Sequence, residues 1–534
     1  MPRTRSRPHP THALTLRPVT TRCPECGHLL WAAYTNCRTV TTLDAVKRLT
    51  LYICRCPNPD CSRYHRPYHP EAESLLALPH HEFGLDVLAL VGRLRHAEHR
   101  SVPEIHQELT RRGVAVALRS VSNLLDRYDE LRALATVDRN RLHALLRQQR
   151  RVVLAIDGLQ PQVGHEVLWV LRDNLSGEIL LARSLLSATI KDLKTLLTEV
   201  RQALPVPIKG VISDGQDTIR KAIAQALPGV PNQLCHFHYL RDAGLPIYES
   251  DRHAKKELKK RVRGVREIER KAEAKPDEPA AVVRDYCAAV RASLTDDGRP
   301  LTAAGLKLRD RLIQVVASLE RVASQVGGLP KGLERLRRLL QRGLEQTAAL
   351  WPPIQASYRW VQRVARLLEN KPKQPARQVR RGLSALLSKM RQAAARRRDP
   401  VVAEQLRYFV KVTRSFWKGL FHCYSSADIP RTNNDLEHLF GSHRYHERRA
   451  SGRKQGSPGL VVQGSVRVVA SLATRLRPEE GLQLRTGYLD DWRRLRADLD
   501  KRRESRRKQR RFRHDPDKYL SSLEKRCVQA SLPP

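Results

Sequence analysis

Arg151-Val-Val-Leu-Ala-Ile-Asp157-Gly158 and Ile208-Lys-Gly-Val-Ile-Ser-Asp214-Gly215 are the stretches that decide the fold. Each is a short apolar run that ends in Asp-Gly, and β-branched runs bounded by turn residues read as buried strands. A carboxylate at the C-terminal end of such a strand points out of the core, where it can hold a divalent cation. Asp-Gly after a strand is also common turn chemistry, so neither aspartate is informative alone.

The neighbouring sequence supplies a context for both. Val167-Leu-Trp-Val-Leu-Arg172 and Glu178-Ile-Leu-Leu-Ala-Arg183 flank the turn Asn174-Leu-Ser-Gly177 and read as a hairpin. Leu193, Leu196, Leu197 and Val200 recur at helical spacing, so a helix is expected over residues 191–204. A second helix over 217–227 and a short segment into Cys235 follow the Asp214 run. The resulting order, β-β-β-α-β-α-β, is that of a ribonuclease H-like mixed sheet, in which the first and fourth strands are neighbours. Asp157 and Asp214 are then expected to meet. A third carboxylate, Glu437, follows Thr432-Asn433-Asn434, and Asn434 three positions earlier fits a helix N-terminus. Three carboxylates suffice to hold two Mg²⁺ about 4 Å apart, the arrangement that phosphodiester cleavage needs. Glu437 read alone is a capping-box residue, and choosing it over the nearby Glu447 rests on the Asn-Asn context.

Bulk properties agree with a nucleic-acid enzyme. The 534 residues predict three or four domains, and 98 Lys plus Arg against 55 Asp plus Glu leave a net charge of +43. Charge this lopsided calls for a polyanionic partner. A ribosomal protein of this length and a membrane-surface protein without an amphipathic anchor both fit less well. No stretch approaches the roughly 20 apolar residues of a membrane span. The N-terminus MPRTRSRPHPTH has no apolar segment behind its charges, so no secretory signal is expected and the location is expected to be intracellular.

Six of the ten cysteines lie within the first 61 residues, and in a reducing compartment that clustering argues for metal rather than disulfides. Cys23-Pro-Glu-Cys26 and Cys56-Pro-Asn-Pro-Asp-Cys61 flank a strand-like segment, Thr50-Leu-Tyr-Ile-Cys-Arg55. Residues 1–70 therefore read as a basic arm and a structural zinc ribbon with Cys23, Cys26, Cys56 and Cys61 as ligands. Cys54, His65 and His69 are competing donors.

Residues 80–150 turn helical. Leu85, Leu88, Val91 and Leu94 recur at three-residue steps, and Ser101-Val-Pro-Glu104 is a capping box that opens a helix with Ile105 and Leu109 inward. After a turn at Gly113, a helix over 119–131 places Val121, Leu124, Leu125 and Tyr128 inward and Arg119, Ser122, Asn123 and Arg127 outward. That is the pattern of a helix-turn-helix DNA reader, and also of an ordinary helical hairpin. The core (residues 151–240) is then interrupted by a basic helical insertion over 241–424, punctuated by Pro and Gly breaks, and resumes over 425–480. Arg444, Arg448, Arg449, Arg453 and Lys454 follow Glu437 and are expected to meet DNA backbone. A basic tail spans 481–534, with nine basic residues among the thirteen from Lys501 to Arg513.

Taken together, Ile156-Asp157-Gly158, Ser213-Asp214-Gly215, Cys235-His-Phe-His238 and Thr432-Asn-Asn-Asp-Leu-Glu437 resemble the motif series of bacterial insertion-sequence DDE transposases related to the Mutator-like superfamily. Those enzymes carry a CxxH motif after the second aspartate and a helical insertion before the glutamate, and the resemblance covers residues 151–450. It implies that Asp157, Asp214 and Glu437 are the catalytic triad, served by two Mg²⁺ or Mn²⁺ ions. It also implies that Cys235 and His238 support the core, as a buried thiol and a hydrogen-bonded imidazole or as a metal pair. The implied partners are double-stranded DNA, both terminal inverted repeats and target, and a second copy of the chain or a larger assembly. The implied setting is the bacterial cytoplasm, close to the nucleoid. Two rivals stay open: a resolvase-like endonuclease of the same fold without strand transfer, and a transposase-derived DNA-binding regulator with a dead site.

Overall fold

A computed structural model describes residues 8–136, 138–160, 166–274, 277–296, 301–396, 399–453, 458–476, 484 and 489–531. It is a mixed α/β protein that divides into two units, Met1–Ile208 with Asp435–Pro534, and Lys209–Asn434.

The first unit begins with a four-stranded sheet of β1 (His12–Leu16), β2 (Trp31–Thr41), β3 (Val46–Arg55) and β4 (Pro67–Tyr68). β3 pairs parallel with β1 and antiparallel with β2 and β4. Its period-two pattern is the reason: Leu49, Leu51 and Ile53 are fully buried on one face, against Val40 and Ala77. After α1 (Glu71–Leu76) come α2 (Leu85–His96), α3 (Val102–Arg111), α4 (Leu118–Thr136) and α5 (Arg139–Gln149). The Ser101 capping box forms as expected, its side chain accepting from Glu104 N while Glu104 reaches back to Ser101 N. α2 crosses α4 at Gly92, where a Cβ would lie 2.3 Å from the Tyr128 ring, so only glycine admits this approach.

The hairpin strands follow as β5 (Val152–Leu159), β6 (Val167–Asp173) and β7 (Ile179–Leu185), antiparallel throughout. α6 (Ile190–Ala203) starts at a second capping box, Thr189 with Asp192. Then come β8 (Ile208–Ser213), α7 (Asp217–Ala226), β9 (Asn232–Leu234) and α8 (His236–Ala243), with β8 and β9 parallel. Within the first unit the strands are ordered β7-β6-β5, and in the second β8 lies beside β9.

The second unit continues as the expected helical stretch, from α9 (Leu245–Arg261), α10 (Val265–Glu273), α11 (Glu278–Thr295) and α12 (Ala304–Val326) to α13 (Lys331–Gln346), α14 (Trp351–Glu369), α15 (Ala376–Arg396) and α16 (Pro400–Phe416). Leucine and valine stripes close two cores here. One is centred on Leu258, Val290, Leu312 and Leu336, the other on Val364, Leu383, Leu406 and Phe409. The chain then returns to the first unit through α17 (Asn434–Ser451), α18 (Pro458–Gln463), α19 (Ser465–Leu476), α20 (Leu489–His514) and α21 (Pro516–Ser531). The basic tail is thus two helices over its described residues. The start of α20 is fastened, with Trp492 and Leu499 buried and Trp492 packed among the α2–α4 side chains. No helix of the described residues is long and apolar enough to cross a membrane.

Candidate functional site

Four thiols gather at one end of the N-terminal sheet. Cys23 and Cys26 sit on a knuckle closed by the hydrogen bond from Gly27 N to Cys23 O (2.8 Å), a turn for which Gly27 takes a φ of 73°. Cys56 immediately follows β3, and Cys61 lies on the loop beyond it. The Sγ atoms of Cys23 and Cys61 are 3.7 Å apart and those of Cys26 and Cys56 are 3.5 Å apart. A tetrahedral Zn²⁺ with Zn–S near 2.3 Å spaces its sulfurs at about 3.8 Å, whereas a disulfide needs about 2.05 Å. All four cysteines are free thiols, and their ligand atoms lie within 4.8 Å of one another. Among the described residues this is the only set of three or more His, Cys, Asp or Glu donors drawn so close. The donor set therefore fits a structural metal.

The surroundings already favour thiolate at two of the positions. The Tyr68 hydroxyl, 3.3 Å from Cys23 Sγ, lowers that thiol to about 6, and the His28 backbone N–H lowers Cys26. Burial instead pushes Cys56 up to about 12, so a cation is what would deprotonate the complete set. Of the competing donors, His69 is engaged with Glu73 at 2.9 Å, and Cys54 and His65 stay outside the cluster.

The expected carboxylates fall on both units. Asp157 lies on β5 opposite Val170, 8 % exposed, with Oδ1 accepting from Gly158 N at 2.8 Å. Glu437 lies in the first turn of α17, half-buried between the buried Leu436 and Phe440. Asp214 immediately follows β8 in the second unit, and its Oδ1 accepts from Gln216 N at 3.0 Å. Burial raises the Asp214 carboxyl above its ordinary range, against the Gln216 N–H and the nearby His238 and Arg241.

The CxxH motif spans the start of α8. Cys235 N donates to Ser213 O at 2.8 Å, and Cys235 Sγ accepts from Asn433 N at 3.3 Å. His236 N donates to Arg431 O at 3.0 Å, and its ring meets Leu420 O at 2.9 Å. His238 is buried in the same helix and acts electrostatically on Asp214. The motif thus ties the end of β8 to the segment that leads into α17. Asn433, only 1 % exposed, belongs to this tether and was not singled out by the sequence except as part of the Thr-Asn-Asn run.

Among the expected DNA contacts, Arg119, Ser122 and Asn123 are exposed on α4, while Arg127 is buried and paired with Glu130. The expectation that Arg127 faces outward is therefore corrected. A 19-residue α4 packs on α2, α19 and α20, so the side four residues on from Asn123 is already covered. Arg444, Arg448, Arg449 and Arg453 are exposed at or just after α17, and Lys454 lies outside the described residues.

The opposite face of α17 carries a network that sequence patterning missed. Arg95 on α2 pairs with Glu447 at 3.4 Å and donates to Ala450 O at 3.1 Å. His96 meets Asp129 at 2.7 Å, Asp129 takes Arg467 Nε at 2.8 Å, and Arg467 also reaches Asp126 at 2.8 Å. His99 and His446 share a 2.5 Å contact between their Nδ1 atoms. Burial, with Arg95 alongside, holds His96 and His446 well below the ordinary imidazole value and His443 at about 4. These polar residues sit at helix positions that an amphipathic pattern assigns to solvent.

Neither a family model nor a curated protein matches this chain.

Proposed function

We propose that the chain is a DNA transposase that binds the ends of its element and performs strand cleavage and strand transfer through Asp157, Asp214 and Glu437. One observation carries this reading above the others. Two aspartates, one within and one just after a strand of a mixed sheet, are followed, after a long helical stretch, by a glutamate in the first turn of a helix. The Cys235 tether supports it, because it fixes the segment before that helix to the strand that precedes Asp214.

Two divalent ions held by the three carboxylates would activate the attacking oxygen and take up the charge on the departing one. The protein's own part is placement. Asp157 is held by Gly158 N and Asp214 by Gln216 N, so neither carboxylate is free to swing. In the cleavage step water attacks phosphorus and the bond to the 3′-oxygen breaks, which leaves a 3′-hydroxyl. In the joining step that hydroxyl attacks a target phosphodiester and displaces its 3′-oxygen. The N-terminal thiol cluster would hold a structural Zn²⁺ and order the sheet that carries it.

The test is incubation of the full chain with duplexes bearing the flanking repeats and Mg²⁺, mapping both cuts and joined products. Asp157→Asn and Asp214→Asn should each lower cleavage at least a thousandfold with duplex affinity retained. Cleavage without joined product would favour the endonuclease reading, and duplex binding with no cleavage by the unaltered chain would favour the regulator.

A further inference from the structure

The last two helices form a hairpin whose like charges converge. α20 is anchored along its first half: Trp492 Nε1 donates to Glu130 at 2.9 Å, Arg496 reaches Glu130 at 3.3 Å, and Arg503 reaches Asp126 at 2.7 Å. Beyond Arg503 the helix continues to His514, turns at Asp515 and returns as α21, with Phe512 and Tyr519 in ring contact at 6.0 Å. The cleft between the two helices has a volume near 780 Å³ and is lined by Lys508, Arg510, Arg511, His514, Lys518 and Arg526. All six are exposed, and among the described residues none has a carboxylate partner. Glu504 and Asp515 also line the cleft, and each already has a donor, Glu504 in Arg507 at 3.5 Å and Asp515 in Lys518 N at 3.0 Å. Packing cations around a concave surface costs repulsion that an entering polyanion relieves.

We propose that this cleft grips the phosphate backbone of duplex DNA without reading its sequence, and so serves the target duplex rather than the element ends. The target assignment rests on the transposase reading; the duplex assignment does not. Three features favour a phosphate ladder. Helical rise places Lys508, Arg511 and His514 about 4.5 Å apart along the axis, so successive cations can follow a backbone. No asparagine or glutamine lines the cleft, so the amide pairing that selects adenine is missing among its lining residues. The anchored half of α20 holds the cations at fixed spacing on a folded unit rather than on a loose tail.

The test uses the full chain and two fluorescent duplexes, one of random sequence and one carrying the element end, titrated across salt concentrations. The variant combines Lys508→Gln, Arg511→Gln and Lys518→Gln. A control combines Arg493→Gln with Arg494→Gln, near the start of α20 and outside the cleft. The cleft variant should lose about tenfold or more in affinity for both duplexes by the same factor, with the salt slope reduced by about 2 to 3. Its melting temperature and the control's binding should match the unaltered chain. An unchanged salt slope would overturn the proposal, as would a loss confined to the element-end duplex. An equal loss of affinity for single-stranded RNA or anionic lipid vesicles would overturn the assignment to duplex DNA. Asp157→Asn separates the two readings: lost cleavage with an unchanged slope bears on the catalytic site alone, and a chain that binds duplex without cutting removes the target role but leaves the cleft.

Discussion

Cys235 Sγ accepts a hydrogen bond from the backbone N–H of Asn433 at 3.3 Å, although nearly two hundred positions separate them in the chain. Both residues are almost completely buried, so the thiol holds down the segment that delivers Glu437 to the start of α17. Cys235→Ala removes the acceptor and should cost about 1 to 3 kcal/mol of stability in the second unit, measured by chemical denaturation. On the transposase reading it should also lower cleavage more than it lowers DNA binding. Cys235→Ser, which keeps an acceptor, should recover most of both. Equal behaviour of the two variants would show that the sulfur acts only by filling space.

The thiol cluster should bind one Zn²⁺ per chain. Cys26→Ser should reduce that stoichiometry, read by elemental analysis, and open β2 and β3 to hydrogen exchange. Chelation should do the same to the unaltered chain, since structural sites of this kind contribute folding energy outright. Cys37→Ser, at an exposed cysteine outside the cluster, should change neither readout.

Acid should loosen the first unit before it protonates ordinary carboxylates. His96, His443 and His446 are held neutral by burial and by Arg95, His443 down at about 4. The unfolded chain takes up protons near 6.5, so between that pH and about 4 it binds more protons than the folded chain and stability falls as pH drops. His443 alone contributes roughly 3 kcal/mol to this loss. Asp129 works in the opposite sense, because burial against Arg467 raises it to about 6, and Glu447, lowered to about 2, matters only at lower pH. Three histidines outweigh one aspartate. The protection factors of the α17 amides should therefore fall between about pH 6.5 and about pH 5, and His443→Gln should flatten that dependence. A flat profile in the unaltered chain would mean that the imidazoles take up protons in the folded state as readily as in the unfolded one, and so that the network is not built as described.

Arg127 and Arg119 stand on the same helix and should part company under mutation. Arg127 is buried against Glu130, which also binds Trp492 and Arg496, so Arg127→Ala leaves a buried carboxylate short of its nearest cation. A loss of about 3 kcal/mol or more in denaturation is expected. Arg119 is exposed, and Arg119→Ala should leave stability within about 0.5 kcal/mol while weakening duplex binding. The reverse pattern would overturn the expectation that α4 reads DNA.

What the sequence disclosed tracks the range of the physics involved. Local signals were legible. The Ser101 box, the Asn174–Gly177 hairpin and the start of α17 at Asn434 all depend on residues within one turn of each other. The paired cysteine knuckles were legible too, since their spacing alone fixes a turn. The Arg95–Glu447 and Asp129–Arg467 pairs were not, because each joins helices far apart in the chain and no periodicity announces a buried charge. The same blindness sent Arg127 to the solvent: a helical wheel gives one apolar face, whereas α4 is covered on several sides. Nor does the basic tail's composition announce that Trp492 and Leu499 are buried, because two apolar side chains in a charged run show no periodicity.

Glu437 and Glu447 lie ten positions apart on one helix, and the choice of Glu437 as third carboxylate of the transposase reading rests in the sequence on the Asn433-Asn434 context alone. Their surroundings distinguish them. Glu447 is 5 % exposed, paired with Arg95, and lowered to about 2 against its burial by Arg467 and Arg95. A carboxylate so engaged with guanidinium groups holds helices together and has little charge left for a cation. Glu437 is half-buried in the first turn, where the helix N-terminus favours an anion. Glu447→Gln should therefore destabilise the first unit by about 3 kcal/mol, seen in denaturation, with cleavage lost only in proportion to unfolding. Glu437→Gln should leave the melting temperature nearly unchanged and reduce cleavage at least a thousandfold, as the aspartate variants should. If Glu437→Gln cleaves normally while Glu447→Gln remains folded and inactive, the third carboxylate has been misassigned and the triad reading must move one face around α17.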